Sequence, residues 1–112
     1  MMNNKGYATY QVMALSSSHL TADDMIQLQI LADSQNQLVT QKANGFFVQT
    51  YAADSDNMRV IIDVYQTELG LSKEFNRIAA HAIQEGYRLI EFDDTAYTCP
   101  LFKTNKSEAT NA

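Results

Sequence analysis

Apolar and polar residues alternate along residues 7–15, which predicts a β-strand at the start of the fold. The spacing then lengthens to that of a helix. Thr21 is a favourable N-cap, and Asp23 and Asp24 fall in the first turn, where a carboxylate stabilises the positive end of the helix dipole. Replacing either aspartate by alanine is expected to cost up to about 1 kcal/mol. The helix is predicted to run from Thr21 to about residues 34–36, with a broad apolar stripe formed by Met25, Ile26, Leu28, Ile30, Leu31 and Ala32.

Residues 38–51, LVTQKANGFFVQTY, predict a β-hairpin. Asn44 and Gly45 lie between two runs of β-prone residues, and both accept the positive φ that a tight hairpin turn requires. With the turn at this pair, Gln41 faces Val48 on the neighbouring strand. One face of the hairpin is expected to pack on the helices, so the other face leaves aromatic surface exposed.

Two further strands and a second helix are predicted in the following half. Residues 58–65, MRVIIDVY, alternate as a strand does. Ser72 is a favourable N-cap for the second helix, and Gly86 lies just past its end. The apolar stripe of this helix consists of Phe75, Ile78, Ala79, Ala82 and Ile83. Residues 87–93, YRLIEFD, predict a strand, and residues 99–102, CPLF, predict a short edge strand because proline cannot donate to a ladder.

These elements predict an α+β fold. We expect a two-layer sandwich in which a mixed or mostly antiparallel sheet of about five strands carries two helices on one face. A single domain is expected over residues 7–102. The polar ends, residues 1–6 and 103–112, offer little apolar surface to bury and are predicted to be disordered tails.

Charge and composition narrow the classes of function. The 112 residues include 13 acidic and 8 basic side chains, which gives an acidic protein of net charge −5. This charge argues against direct binding of nucleic acid or of an anionic membrane, whereas a basic protein partner is compatible with it. Cys99 is the sole cysteine, so no internal disulfide is possible and a cytoplasmic location is expected. No targeting or membrane-spanning stretch is recognisable.

Three segments together resemble a family of small bacterial proteins. They are LSSSHLTADD after the first strand, NGFFV in the hairpin, and the last third of the chain from LSKEF to CPLF. The matching positions are Ser16 or Ser17, His19, Gly45, Phe46, Phe47, Gly86, Phe92, Asp93, Pro100 and Phe102. The family is known only as a domain of unknown function, and its members occur on phages, plasmids and other mobile elements as well as on chromosomes. The resemblance implies an association with mobile elements and no particular activity.

This chain departs from the family pattern at two places. The family closes one strand in Phe-Asp-x-Asp, whereas here Asp94 follows Asp93 directly and Thr95 stands where the second aspartate falls. The order Cys-Pro-Leu-Phe also shifts the Leu-Pro pair of the pattern.

Ser17, His19, Asp93 and Asp94 form a candidate polar site with three interpretations. Ser17 and His19 share a face of an extended segment, as a nucleophile and its base must. An aspartate would orient the imidazole if the last long strand lay beside the first and ran parallel to it. Alternatively, His19 with Asp93 and Asp94 would bind a divalent cation in a metal-dependent hydrolase or nuclease. The simplest interpretation is structural, since serines at a strand exit bond the backbone and tandem aspartates suit a turn.

An exposed aromatic patch is the other candidate. Leu38, Phe47 and Tyr51 are expected on one face of the hairpin, with Tyr65 nearby. Such patches anchor protein interfaces. The favoured hypothesis is therefore a small non-enzymatic protein-binding module without a cofactor, which docks on another protein or on a second copy of itself. An accessory or anti-defence (inhibitor) role on a mobile element follows from the resemblance alone.

Overall fold

The computed structural model describes residues 9–50 and 58–105, and within them it has an α+β fold of four strands and three helices. The strands are β1 (Val12–Ser16), β2 (Val39–Lys42), β3 (Gly45–Gln49) and β4 (Leu89–Asp93), and the helices are α1 (Ala22–Asp33), α2 (Met58–Asp63) and α3 (Lys73–Gln84). A 3-10 turn (Ser17–His19) precedes α1, and a π-helical segment (Val64–Glu68) continues α2. The sequence-based class is confirmed, with four strands in the described residues instead of about five.

The strands form one mixed sheet in the order β1-β4-β3-β2. β1 and β4 run parallel, and Leu15 pairs with Phe92 between them. The pairs β4–β3 and β3–β2 are antiparallel. Because β1 and β4 are neighbours and parallel, their carboxyl ends meet at the same edge of the sheet, which decides where the polar residues come together.

One face of the sheet packs against the helices to form the core. The largest fully buried side chains include Phe92 and Ile90 from β4, Leu28 from α1, and Phe75 and Ile78 from α3. Burying a side chain of this size contributes roughly 1.5–3 kcal/mol, so this layer supplies most of the apolar stabilisation. No helix within residues 9–50 and 58–105 has the length and apolar character needed to cross a bilayer.

Both long helices begin where the capping pattern predicted. The Thr21 side chain accepts a hydrogen bond from the Asp24 backbone N–H at 3.0 Å. Ser72 accepts one from the Phe75 N–H at 3.1 Å. Gly86 follows α3 with a φ of 84°, the left-handed conformation that glycine adopts at low cost. The predicted starts of both helices are therefore confirmed.

The hairpin forms, but its register differs from the predicted one by two residues. Gln41 pairs with Phe46, not Val48, and Lys42 pairs with Gly45, so the turn consists of Ala43 and Asn44. Gly45 is the first residue of β3. A Cβ atom at this position would overlap the backbone carbonyl of Phe92 on β4. Glycine is needed here because β3 and β4 approach each other closely. Asn44 lies in the turn but Gly45 does not, so the prediction that this pair forms the turn is wrong.

The strand predicted over residues 58–65 is wrong, since this segment forms α2 and the start of the π-helical segment. Its apolar residues fit a period of two, but they also fit a helix. Ile61 and Ile62 pack against the core and Tyr65 is fully buried, whereas Val60 is 64% exposed. The local sequence fits a strand and a helix equally well, and the burial of apolar residues on one side selects the helix.

The edge strand predicted over residues 99–102 is also absent. This segment forms a turn in which the Phe102 N–H donates to the Cys99 carbonyl at 3.1 Å. Its backbone is held by side chains from another part of the chain, as described below.

Asn76 gives a stability prediction. It lies in α3, only 8% exposed, and neither its amide nitrogen nor its amide oxygen has a hydrogen-bond partner in the part of the chain that the structure describes. A buried unsatisfied polar group costs about 1–3 kcal/mol. Asn76→Leu, which is similar in size and a better helix former, is expected to raise the free energy of unfolding by about 1 kcal/mol in urea denaturation. Gln84→Leu on the exposed side of α3 is the control and is expected to change it by less than about 0.5 kcal/mol. A loss of stability in Asn76→Leu would contradict this explanation.

Candidate functional site

The carboxyl ends of β1 and β4 bring the predicted polar residues to one edge of the sheet. Ser16 pairs with Asp93, and the next residues along each strand, Ser17 and Asp94, are in contact. The Ser17 hydroxyl donates a hydrogen bond to Asp94 Oδ1. The last strand, β4, therefore lies beside β1 and parallel to it, which was the condition for an aspartate to reach the serine and histidine. The aspartate that this arrangement brings close, Asp94, contacts the hydroxyl of Ser17 and not the imidazole of His19.

His19 is fully buried, and both of its ring nitrogens are occupied. Nδ1 lies 2.9 Å from the carbonyl oxygen of Lys103, and Nε2 accepts a hydrogen bond from the Cys99 backbone N–H at 2.9 Å. A carbonyl can only accept and a backbone N–H can only donate, so both bonds form together only in the neutral tautomer with the proton on Nδ1. In this arrangement the imidazole has no free lone pair for a serine proton or a metal ion.

The partners of His19 belong to residues 99–105, which we call the C-terminal strap. The strap is also tied down by Asn105, whose N–H donates to the Ser18 carbonyl at 2.6 Å. The Phe102 ring packs edge-on against His19, with ring centroids 5.9 Å apart. Residues 103–105, the first part of the predicted C-terminal tail, are thus bonded to the domain. The rest of that tail and residues 1–6 lie outside the described residues.

Asp93 is held by a separate set of contacts. Its carboxylate pairs with Lys42 of β2, and it accepts hydrogen bonds from the Thr95 N–H at 2.7 Å and the Thr95 hydroxyl at 2.6 Å. Lys42 also pairs with Glu91 at 3.2 Å. The Lys42 ammonium, followed by the two Thr95 hydrogen bonds, holds the pKa of Asp93 well below its ordinary value, and Asp93 in turn raises the pKa of Lys42. Asp93 therefore ties a turn to the hairpin.

This ion pair predicts a pH-dependent contribution to stability. The folded-state pKa of Asp93 lies below that of the unfolded chain, about 4, so ionised Asp93 stabilises the fold above that pH and the contribution disappears as the pH falls further. The difference in melting temperature between wild type and Asp93→Asn is expected to be constant from about pH 5 to 7 and to shrink towards about pH 2. Lys42→Met should show the same pH-dependent difference in melting temperature from wild type, because the Lys42 ammonium is the main cause of the lowered pKa of Asp93. A difference that persists unchanged at the acid end would refute this assignment.

The structure does not favour the metal interpretation. Within residues 9–50 and 58–105, no group of three or more His, Cys, Asp and Glu side chains is placed to hold an ion. The ring nitrogens of His19 bond to the backbone of Lys103 and Cys99 and to neither aspartate, and Asp93 pairs with Lys42. Of the four predicted residues, only Ser17 and Asp94 are brought into direct contact.

Beside this contact lies a cavity of about 440 Å³, within the range of ligand-binding pockets. Its polar wall consists of Ser16, Ser17, Ser18, Asp94 and Asn105, and its apolar wall of Leu20, Ala22, Met25 and Ile26. A second cavity of about 230 Å³, between α1 and the hairpin turn, shares Met25 and Asp94 with the first. We call these two adjoining cavities, both of which border α1, the α1 groove.

The outer side of α1 next to this groove carries two exposed isoleucines between the exposed Asp23 and Asp33. Ile26 and Ile30, one helical turn apart, are 60% and 53% exposed, whereas Leu28 and Leu31 on the inner side are buried. Neighbouring large apolar side chains that are exposed together are typical of a surface that another molecule covers. The apolar stripe predicted from the sequence already includes Ile26 and Ile30, so its unusual width is the sequence signal for this exposed surface.

The predicted aromatic patch is not assembled. Tyr65 is completely buried, its hydroxyl donates to the Gln49 carbonyl at 2.6 Å, and burial raises its pKa. Leu38 packs against the core. Phe47 lies half-buried on the sheet face away from the helices, with the Lys42 ammonium 5.9 Å from its ring centre. Tyr51 lies outside the described residues. Among the three of these residues that the structure describes, Leu38 and Phe47 are partly buried and Tyr65 is fully buried, because the segment carrying Tyr65 is a helix.

Comparison with known proteins identifies the family. The model of a family of unknown function, the DUF5983 C-terminal domain, matches residues 12–106, so the chain belongs to that family. No curated protein and no solved structure matches the chain.

Proposed function

We propose that this member of the DUF5983 C-terminal domain family is a non-enzymatic protein-binding module, and that its α1 groove receives an apolar segment of a protein partner. The observation that carries the proposal is the exposure of Ile26, which forms the rim of a 440 Å³ cavity and continues onto Ile30. An apolar surface bordered by polar groups that can fix orientation is typical of a site that binds another molecule.

Binding is favoured over catalysis by the state of the polar residues. A histidine that acts as a general base needs a free ring nitrogen within hydrogen-bond reach of the proton that it removes, and both nitrogens of His19 are bonded to the strap. Ser17 donates to Asp94, and a carboxylate alone is a weak base for a hydroxyl. No observation in the described residues favours the metal-dependent hydrolase or nuclease, so we do not propose it further.

Charge indicates the chemistry of the partner. Asp23 and Asp33 are exposed on α1, and Asp94 is exposed in the wall of the groove. The whole chain carries a net charge of −5. A segment in which apolar side chains are flanked by Lys or Arg would complement this surface, whereas a second copy of the chain would bring two acidic surfaces together. The proposal therefore commits to a different, basic protein as the occupant.

The biological setting is the part of the proposal that rests on the family resemblance. Members of the resembling family occur on phages and plasmids, which agrees with an accessory or anti-defence (inhibitor) factor acting in the host cytoplasm. Such a factor works by occupying a surface of a host protein, and a groove without catalytic machinery is sufficient for that task.

The test uses variants that change the groove without touching the core. The full chain, the double variant Ile26→Glu/Ile30→Glu and the control Val60→Glu are purified, and their masses in solution are measured by light scattering. Val60 is as exposed as the two isoleucines but lies on α2. Each protein is then immobilised and exposed to a lysate of the native host, and the retained proteins are quantified by mass spectrometry and re-tested in purified form.

The proposal predicts a monomer in solution and a basic partner retained by wild type and by Val60→Glu. Ile26→Glu/Ile30→Glu should lose that partner. Retention of the same proteins by all three chains would refute the groove as the binding site. A dimer that only the double variant dissociates would show that the surface binds a second copy, and it would overturn the choice of a different partner.

A further inference from the structure

Another cavity, separate from the α1 groove, is lined mainly by basic side chains, although the whole chain is acidic. It encloses about 240 Å³ between the start of α3 and the C-terminal strap, and Lys73, Arg77 and Lys103 line it together with one carboxylate, Glu74. Three of the chain's 8 basic side chains thus converge on one small volume. This cavity shares no lining residue with the α1 groove.

Within residues 9–50 and 58–105, none of these three cations forms an internal ion pair. In the described ranges, both salt bridges of the fold belong to Lys42, which lies on the hairpin. Holding three like charges around one cavity is unfavourable without a counter-charge, and an isolated Glu74 compensates for only one of them. The amino end of α3, whose dipole also favours an anion, contributes Lys73 and Glu74 to the same wall. The local field therefore selects an anionic ligand.

The inner wall of the cavity is held in place, whereas the side chains of Lys73, Arg77 and Lys103 are exposed at its mouth. His19 lines it and is fully buried, and its hydrogen bonds to Cys99 and Lys103 hold the strap in place. Phe102 packs against His19 and also against His81 of α3, with ring centroids 5.6 Å apart in the second contact. A rigid wall reduces the ordering that a ligand must impose when it binds.

A partly apolar cavity adjoins the cationic one. It has a volume of about 380 Å³, shares Arg77 and Phe102 with it, and is otherwise lined by Ala80, His81, Gln84 and Leu101. Leu101 is 60% exposed at its rim. A ligand that fills both cavities has an anionic end at Lys73, Arg77 and Lys103 and a flat apolar part against Phe102 and Leu101.

We propose that these two adjoining cavities form a binding site for a small phosphate monoester that carries an aromatic or other flat apolar group. A phosphate accepts several charge-assisted hydrogen bonds at once, and the guanidinium of Arg77 can donate two in parallel. A small ester fits the enclosed volume, whereas a polyanion would also meet the acidic remainder of the surface. The site lies beyond the proposed function, because the α1 groove does not take part in it.

The experiment titrates the full-length chain with phenyl phosphate and, separately, with inorganic phosphate. Affinity is measured by calorimetry, and the site is located from the backbone amide shifts of α3 and the strap in two-dimensional NMR spectra. The variants are Arg77→Ala, which removes a cation, and Glu74→Gln, which removes the only opposing charge in the cavity wall. Arg59→Ala and Glu85→Gln are matched controls at exposed positions outside both cavities. Thermal melting establishes that each variant is folded.

The proposal predicts that phenyl phosphate binds more tightly than inorganic phosphate and shifts the amides of α3 and the strap. Arg77→Ala should weaken binding at least about tenfold, Glu74→Gln should strengthen it by about threefold, and both controls should stay within about twofold of wild type. Raising the salt concentration should weaken binding in every chain. The absence of binding, equal affinity for the two phosphates, or affinity that is unchanged in Arg77→Ala and Glu74→Gln would overturn the proposal. Each of these results leaves the α1 groove proposal unaffected.

Discussion

Asp24→Ala is expected to lower the free energy of unfolding by about 3 kcal/mol, which corresponds to a fall in melting temperature of roughly 10–20 °C. Asp24 is 1% exposed and joins the starts of both long helices. Its carboxylate accepts hydrogen bonds from the Ser72 N–H at 2.9 Å and the Ser72 hydroxyl at 2.5 Å, as well as from the Thr21 N–H at 3.4 Å. Alanine would leave the partly buried Ser72 donors without this acceptor and would open a cavity at the buried position of Asp24.

Asp23→Ala is the matched control for this prediction. Asp23 lies in the same first turn of α1 but is exposed, so its removal is expected to cost no more than about 1 kcal/mol through the helix dipole. The two variants are compared by urea denaturation at the same pH. Equal losses of about 1 kcal/mol, the outcome expected from the sequence alone, would show that the contact between Asp24 and Ser72 contributes little to the stability of the fold.

His19→Ala is expected to cost about 3 kcal/mol and, in addition, to release the C-terminal strap. The substitution removes a fully buried ring and both of the hydrogen bonds that it makes to the backbone of the strap. Denaturation gives the loss of stability, and hydrogen exchange of the Cys99 amide reports on the strap directly. That amide should exchange much faster in the variant, because its acceptor is the His19 ring.

His81→Ala separates this effect from simple loss of an aromatic contact. His81 also packs edge-on against Phe102, yet its side chain is only half-buried. Its replacement is expected to cost less than about 1 kcal/mol and to leave the Cys99 amide protected. Unchanged protection of that amide in His19→Ala, or the same acceleration in His81→Ala, would contradict the role given to His19.

The helices α1 and α3 could be predicted from the sequence because their signals are local. Thr21 and Ser72 cap them, and the apolar stripe of α3 appears at the expected spacing. Residues 58–65, which form α2 and the start of the π-helical segment, were predicted as a strand, since their pattern satisfies both periods and only the burial of one side, which includes Tyr65, distinguishes them. The hairpin was found from Asn-Gly, but its register depends on how closely β4 approaches Gly45, a contact between residues distant in sequence.

The candidate site was harder to predict than the fold because it is assembled from distant segments. Ser17 and Asp94 are 77 residues apart and meet only because β1 and β4 are parallel neighbours, which local patterns do not determine. His19 was recognised as important, but its partners are backbone groups of residues 99 and 103, and backbone groups leave no trace in a sequence. What the sequence could have indicated is the surplus of apolar residues on α1, Ile26 and Ile30, beyond those that the core needs.

The central claim is that the imidazole of His19 holds the strap and is therefore not available as a catalytic base. The tautomer of His19 tests this claim most directly, because the choice of binding over catalysis depends on it. Long-range nitrogen–proton NMR of the folded protein at neutral pH distinguishes the two ring nitrogens. We predict a single neutral form with the proton on Nδ1 and with Nε2 coupled through a hydrogen bond to the Cys99 amide. A proton on Nε2, or a ring that exchanges freely between both forms, would contradict the account and would restore His19 as a candidate base.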